Sequence, residues 1–174
     1  SSGKYGKGVN FTGSDSYMTS SSTSGLLQRT KTISFWANPA GEITTNQTIF
    51  SLADANYHLG FTTGNAVYFA YENYSGSPYF LVSADDTVIP NAWNLYTFVH
   101  YVDGSAADST SDVRVYRGTT VIIAYQDTKG ASSSYGTENF IGTYNPSGGH
   151  GAPTNFYNGF LDDMMFFYTN LSFF

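Results

Sequence analysis

The carboxylates are the first residues to ask for chemistry. Hydrolysis of a glycosidic bond needs two of them a few ångströms apart, one on each side of the scissile bond. The chain has three glutamates, Glu42, Glu72 and Glu138, and none has an acidic partner at strand spacing. Asp85-Asp86 and Asp162-Asp163 are adjacent pairs, and adjacent residues of a strand leave from opposite faces. The reading is therefore of a non-enzyme, with no catalytic residue assigned. His58, His100 and His150 stand in no motif that would build a Ser-His-Asp relay. His58 and His100 fall in predicted strands, as packed or surface residues. His150 lies in Ser147-Gly-Gly-His-Gly151, an exposed loop where it is a candidate ligand contact.

Aromatic residues carry more of the argument. Fifteen tyrosines are more than a core of this size would use. Tyr71, Tyr74, Tyr79 and Tyr144 fall near predicted strand ends or loops. An exposed tyrosine offers a flat apolar face with a polar edge, which suits sugar rings and protein partners alike. These four and His150 form the candidate ligand-binding set, against the plainer reading that tyrosine simply decorates β surfaces. Four N-glycosylation sequons begin at Asn10, Asn46, Asn73 and Asn170, about the number that chance ordering of this composition produces. Asn46 and Asn73, beside predicted turns, are the expected accessible acceptors.

The elements that must position these residues are strands. Hydrophobic residues make up 41% and charged residues 11% of 174 positions, a folded composition long enough to bury a sizeable core. The net charge is −6, with 7 basic residues in no cluster, which argues against nucleic acid and against an electrostatic membrane-surface role. No apolar stretch is long enough to cross a bilayer, so no membrane insertion is expected. Cysteine is absent and fixes no compartment. The opening Ser1-Ser2-Gly3 reads as a piece cut from something longer, so missing targeting signals say nothing.

Thr30 to Asn38 alternates most clearly, with Ile33, Phe35 and Ala37 on one face and Ser34, Trp36 and Asn38 on the other. Shorter runs follow at regular spacing: Thr48–Leu52, Tyr57–Phe61, Ala66–Tyr71, Tyr79–Ser83, Trp93–Val102, Asp112–Arg117, Thr120–Gln126 and Glu138–Thr143. The segment Lys4–Thr12 opens the chain as a strand with Val9 and Phe11 on one face. Gly159 launches a closing run, Phe160 to Tyr168, apolar except for Asp162 and Asp163. About twelve short strands divided by turn residues predict an antiparallel sandwich.

The order of these motifs resembles the laminin-G-like jelly rolls of the concanavalin A-like lectin/glucanase superfamily. Ser34-Phe-Trp36 with Pro39, the Trp93-x-x-apolar run, Phe140-Ile-Gly142 and the closing Asn158-Gly-Phe-Leu-Asp-Asp163 are similar to its strands. Tyr116-Arg117-Gly118 departs from its Tyr-x-Asn-Gly turn while still permitting the turn. The resemblance covers Gly6 to Ser172 and implies an all-β antiparallel β-sandwich jelly roll, a single laminin-G-like domain over residues 1–174, with Trp36 and Trp93 structural. The glucanases' Glu-x-Asp-x-x-Glu strand is missing here. Some members hold calcium where the first turn meets the last strand, which makes Asp15 and Asp162 candidate metal ligands and Ca²⁺ the one implied cofactor. The plainer alternative has Asp15 bonded within its own turn and Asp162 pinning the neighbouring loop. Functionally the resemblance implies a non-catalytic recognition or adhesion module, extracellular or at the cell surface, binding a glycan or an extracellular protein. A second expectation is a structural glycoprotein subunit of a filament or coat, self-assembling through the apolar Leu171-Ser-Phe-Phe174; a degenerate glucanase is the third.

Overall fold

Alternation decides where the core forms. In Lys31–Pro39 the residues Ile33, Phe35 and Ala37 are at most 1% exposed, whereas Trp36 and Asn38, on the opposite face, are half-buried. The computed structural model describes residues 2–21, 30–52, 57–72, 78–103, 110–127, 138–144, 153–169 and 171. Tyr74, His150, Asn73, Asn170 and the last three residues lie outside them.

The described strands are Ser2–Gly3 (β1), Gly6–Lys7 (β2), Val9–Thr12 (β3), Met18–Ser21 (β4), Lys31–Pro39 (β5), Gln47–Leu52 (β6) and Tyr57–Thr62 (β7). They continue with Ala66–Glu72 (β8), Pro78–Val82 (β9), Asn94–Asp103 (β10), Thr110–Arg117 (β11), Thr120–Asp127 (β12), Glu138–Ile141 (β13) and Asn158–Phe167 (β14). Twelve of them form two six-stranded antiparallel sheets, in the orders β12-β11-β10-β5-β14-β3 and β4-β13-β6-β7-β8-β9. The all-β sandwich expected from the strand spacing is the fold. Among the described residues no helix is long and apolar enough to cross a membrane. The opening strand is shorter than its sequence suggests. Gly6, at φ 121°, turns the chain so that β1 pairs back on β2 before β3 begins.

Rings from the two sheets interlock between them. Phe35 and Phe98 of the first sheet meet Phe50 and Phe69 of the second, with centroids 6.3 Å apart for Phe35–Phe50 and 4.5 Å for Phe69–Phe98. Each is fully buried, a contribution of about 1.5–3 kcal/mol per side chain.

The closing strand holds the first sheet together. β14 pairs with β5 from Gly159 to Phe167 and with β3 from Asn158 to Leu161. A bulge between Asp162 and Met165 interrupts the register, and Asp163 takes φ 47° there. The strand can start only because residue 159 is glycine. Its φ is 143°, and a Cβ would collide with the Asn38 carbonyl oxygen and stand 2.8 Å from the Tyr157 hydroxyl. Gly159→Ala should therefore cost about 2–4 kcal/mol and lower Tm by roughly 5–15 °C in a thermal melt. An unchanged Tm would contradict this account of the closure.

Candidate functional site

The second sheet turns one face to the core and the other outward. In β7 to β9 the inward positions are Tyr57, Leu59, Phe61, Val67, Phe69, Tyr71, Tyr79 and Leu81, all in or against the core. The outward positions would ordinarily be polar. Here they carry rings. Phe80 stacks on Tyr68 at 5.2 Å and 20°, Tyr68 meets His58 edge-on at 5.8 Å, and His58 lies 4.6 Å from Tyr144. The four rings form a diagonal row across β9, β8, β7 and the segment beyond β13.

A glycine makes the row possible. Gly60 pairs with both Tyr68 and Thr48. A Cβ there would stand 2.8 Å from Tyr68 Cε1 and collide with the Gln47 carbonyl oxygen. Without it, the Tyr68 ring lies flat across β7, and its hydroxyl reaches Thr48 Oγ1 on β6 at 2.6 Å. The ring is only 2% exposed, and burial, outweighing the Thr48 hydrogen bond, pushes its hydroxyl up to about 12. Tyr144 is fixed by a two-way backbone bridge to Thr154, 2.9 and 2.7 Å, and the Thr143 hydroxyl donates to the Thr154 carbonyl at 2.7 Å. Phe80 is 57% and Val82 47% exposed, so the row has a dry floor and an open rim. Such a surface can stack against a ring and hydrogen-bond its edge, through His58 and the Tyr144 hydroxyl.

Residues 12–172 match a laminin G family of the concanavalin A-like lectin/glucanases superfamily. The chain belongs to that superfamily. No curated protein matches it. Among solved structures, the CBM40 of Ruminococcus gnavus IT-sialidase bound to α2,3 sialyllactose is similar over 95% of this chain and 92% of its own, with TM-score 0.69 and 13% identity. Domain 4 of AbnA, a GH43 extracellular arabinanase of Geobacillus stearothermophilus, in complex with arabinotriose, is similar over 99% and 75%, with TM-score 0.61 and 15% identity. Domains LG4-5 of the mouse laminin α1 chain are similar over 91% and 40%, with TM-score 0.62 and 10% identity. At these identities the likeness is one of fold.

Within this laminin G-like sandwich, the predicted ligand set divides. Tyr144 stands in the aromatic row. Tyr71 does not: it is 2% exposed, stacked between Phe69 and Tyr79, and its hydroxyl donates to Asp127 Oδ2 at 3.2 Å. Tyr79 faces between the sheets, against Tyr71 and Tyr125. Five of the fifteen tyrosines, Tyr57, Tyr68, Tyr71, Tyr96 and Tyr157, are at most 2% exposed, so part of the surplus read from the sequence is buried rather than presented to a ligand. His58, Tyr68 and Phe80 were not assigned to a site by sequence reasoning. The available signal was rings at the outward positions of three successive strands. Trp36 and Trp93 are half-buried, and Trp36 stands on the outer face of the first sheet under Tyr5, 5.7 Å away.

The two metal candidates are kept apart by register. Asp15 follows Thr12, which pairs with Asn158, while Asp162 lies four residues further along β14, about 13 Å at strand rise. One cation binds its ligands at about 2.3–2.6 Å and cannot span that. Asp15 Oδ1 accepts from the hydroxyls of Thr12, Ser14 and Ser16. Asp162 accepts from the Tyr5 backbone N–H at 3.1 Å and from that of Asp163 at 2.9 Å, tying the N-terminal hairpin to the closing strand. Among the described residues no three His, Asp or Glu side chains gather. A cavity of about 250 Å³ opens between the edges of β3 and β4, lined mostly by apolar side chains such as Val9, Met18, Ile141 and Met164. Its charged lining is Lys7, Asp162 and Asp163, and Asp162 is already engaged by the hairpin. The cavity therefore offers an apolar wall rather than a polar set that would orient a ligand.

Tyr71 belongs to a buried polar cluster between the sheets. His100, 0% exposed, shares a hydrogen bond with Ser111 Oγ at 3.2 Å and packs on Tyr57 and Tyr71. The Lys31 ammonium sits 3.7 Å above the Tyr57 ring. Burial pulls Lys31 down to about 7, and burial, followed by the Lys31 charge, pulls His100 from 6.5 to about 3. Between about pH 6.5 and 3 the unfolded chain binds the histidine proton and the folded chain does not. The histidine's contribution to stability should be complete above about pH 6.5 and fall as the pH drops towards 3, by roughly 3–5 kcal/mol. Below about pH 6, Lys31 is charged in both states and adds no slope. Denaturant melts at stepped pH should show this fall, and His100→Gln should flatten it; an equally steep fall in the variant would remove His100 as the cause. A separate melt with and without excess chelator should give the same Tm within about 1 °C, and a larger drop would restore calcium as a stabilising ligand.

Proposed function

We propose that this chain is a non-catalytic recognition module, one domain over residues 1–174, working outside the cell or at its surface. It binds a glycan across the outer face of its second sheet. The observation that carries this reading is the row of Phe80, His58 and Tyr144 rings around the buried Tyr68, which Gly60 and the Thr48 hydrogen bond hold flat beneath Phe80 before any ligand arrives. A pyranose ring has an apolar C–H face and polar edges. It therefore complements a surface whose floor is aromatic and whose rim carries an imidazole and a hydroxyl. Rigid rings lose little entropy on binding, which favours affinity from a small contact area. The similarity in fold to sugar-binding modules of a sialidase and an arabinanase supports the same reading.

A protein partner is the second reading, favoured by Phe80 and Val82, both exposed on β9 at the edge of the sheet. An apolar edge strand is a ready template for an added strand. The filament-subunit reading rests on Leu171 and the residues after it. Leu171 is held by its N–H to Thr32 Oγ1 at 3.0 Å, and the rest lies outside the described residues.

Glycan arrays followed by titration with the best free oligosaccharide test the proposal. Tyr144→Ala and Phe80→Ala should each weaken binding about 10-fold, a loss of about 1.4 kcal/mol, with Tm nearly unchanged because both rings sit at the rim. Full affinity in both variants would remove this face as the site. Release of shortened sugar during the titration would end the non-catalytic reading.

A further inference from the structure

We propose that Asn10 carries an N-linked glycan, and that the outer face of the first sheet accommodates it, with the first sugar lying on Phe160. This is a different face from the proposed ligand site and stands independently of it.

Three observations converge on Asn10. It opens the sequon Asn10-Phe-Thr12 within β3, the edge strand of its sheet. Alternation sends Phe11 into the core at 2% exposure, while Asn10 and Thr12 stand exposed. Directly opposite Asn10 on β14 is Phe160, whose other neighbour is Asn38 on β5. Residues paired in this way have Cβ atoms about 4.5–5.5 Å apart on one face. Phe160 is half-buried and lies 6.4 Å from the Trp93 ring. Trp93, Phe160 and Asn10 thus form a second row, ending in an amide on an open edge.

The neighbouring ring of this face is already covered. Trp36 is roofed by the N-terminal hairpin: Tyr5 meets it edge-on at 5.7 Å, the Lys4 ammonium sits 5.0 Å above it, and Asp162 ties the hairpin down. A sugar on Asn10 would roof Phe160 in the same manner, laying its C–H face on the ring and its hydroxyls in water. The modification joins C1 of a diphosphate-activated glycan donor to Asn10 Nδ2. The C1–O bond to the diphosphate breaks, and one amide proton leaves.

Asn46, expected from the sequence as a more accessible acceptor, is exposed as well but sits differently. It lies outside any strand, its amide oxygen accepts from Thr62 Oγ1 at 2.6 Å, and the hydroxyl of its sequon's Thr48 is engaged by Tyr68. A glycan there has no cross-strand ring to rest on.

The test is the full chain secreted from a eukaryotic cell, with glycopeptide mass mapping of each sequon. Asn10 should be occupied. After enzymatic trimming to a single N-acetylglucosamine, the protein should still melt about 2–4 °C above Asn10→Gln, and this gap should close in a Phe160→Leu background, which keeps the apolar bulk and removes the ring. Phe160→Ala should close it too. A bare Asn10, no gap between the trimmed protein and Asn10→Gln, or an equal gap without the Phe160 ring would each overturn the proposal.

Discussion

Everything in this molecule depends on a strand from one end of the chain lying between two from the other. β14 inserts between β5 and β3, so the two ends of the chain, Thr12 and Asn158 among them, must meet before the first sheet is complete. The loop-closure entropy is lost early, and the contacts that offset it come late, which is the physics of a slow-folding sandwich. The insertion also decides what happens on both surfaces. It sets Phe160 beside Asn10 and Asn38, and lets Asp162 anchor the hairpin over Trp36. On the far side, the chain entering β14 bonds along β6 through Thr48 and Phe156, near the bridge that holds Tyr144 over His58.

The rings of the chain are sorted by this arrangement into three layers. The middle layer is the core, where Phe35, Phe50, Phe69 and Phe98 interlock. The outer two layers lie on opposite faces of the sandwich and differ in character. On the second sheet the row from Phe80 to Tyr144 is continuous and pre-aligned, with those two rings at its rim. On the first sheet the aromatic groups are separate, one covered by the N-terminal hairpin and one ending beside a sequon. Exposed rings lower solubility and invite association. Their retention on both faces therefore argues that each face is covered or used, rather than left bare.

The buried polar cluster runs against the simplicity of the core. A lysine, a histidine, an aspartate and two tyrosines lie between the sheets, where desolvation disfavours the charged forms of the lysine and the histidine. The chain meets that cost with an aromatic face beneath the ammonium, a serine for the imidazole and a tyrosine hydroxyl for the carboxylate. Removing one partner would take a contact away from another buried polar group, so these residues are tied to one another more tightly than apolar neighbours would be.

Strand positions were legible because period-two alternation survives any tertiary context: β5, β7, β10 and the β11–β12 hairpin begin and end within about two residues of where the apolar pattern puts them. The superfamily was legible for the same reason, as an ordered set of such strands. What alternation leaves open is which sheet a strand joins and what covers each face. Tyr71 sits at a strand end and so read as a rim residue, yet it packs beneath the other sheet. The resemblance to family members that hold calcium between the first turn and the last strand implied that Asp15 and Asp162 meet, yet the β3–β14 register sets them at opposite ends of one pairing. Gly60 falls inside the predicted strand Tyr57–Phe61 like any other strand residue, and only the cross-strand position of Tyr68 shows it to be the space in which a ring lies. Local pattern determines which residues face together along one strand; the partner strand, set by closure of the whole chain, determines what they face.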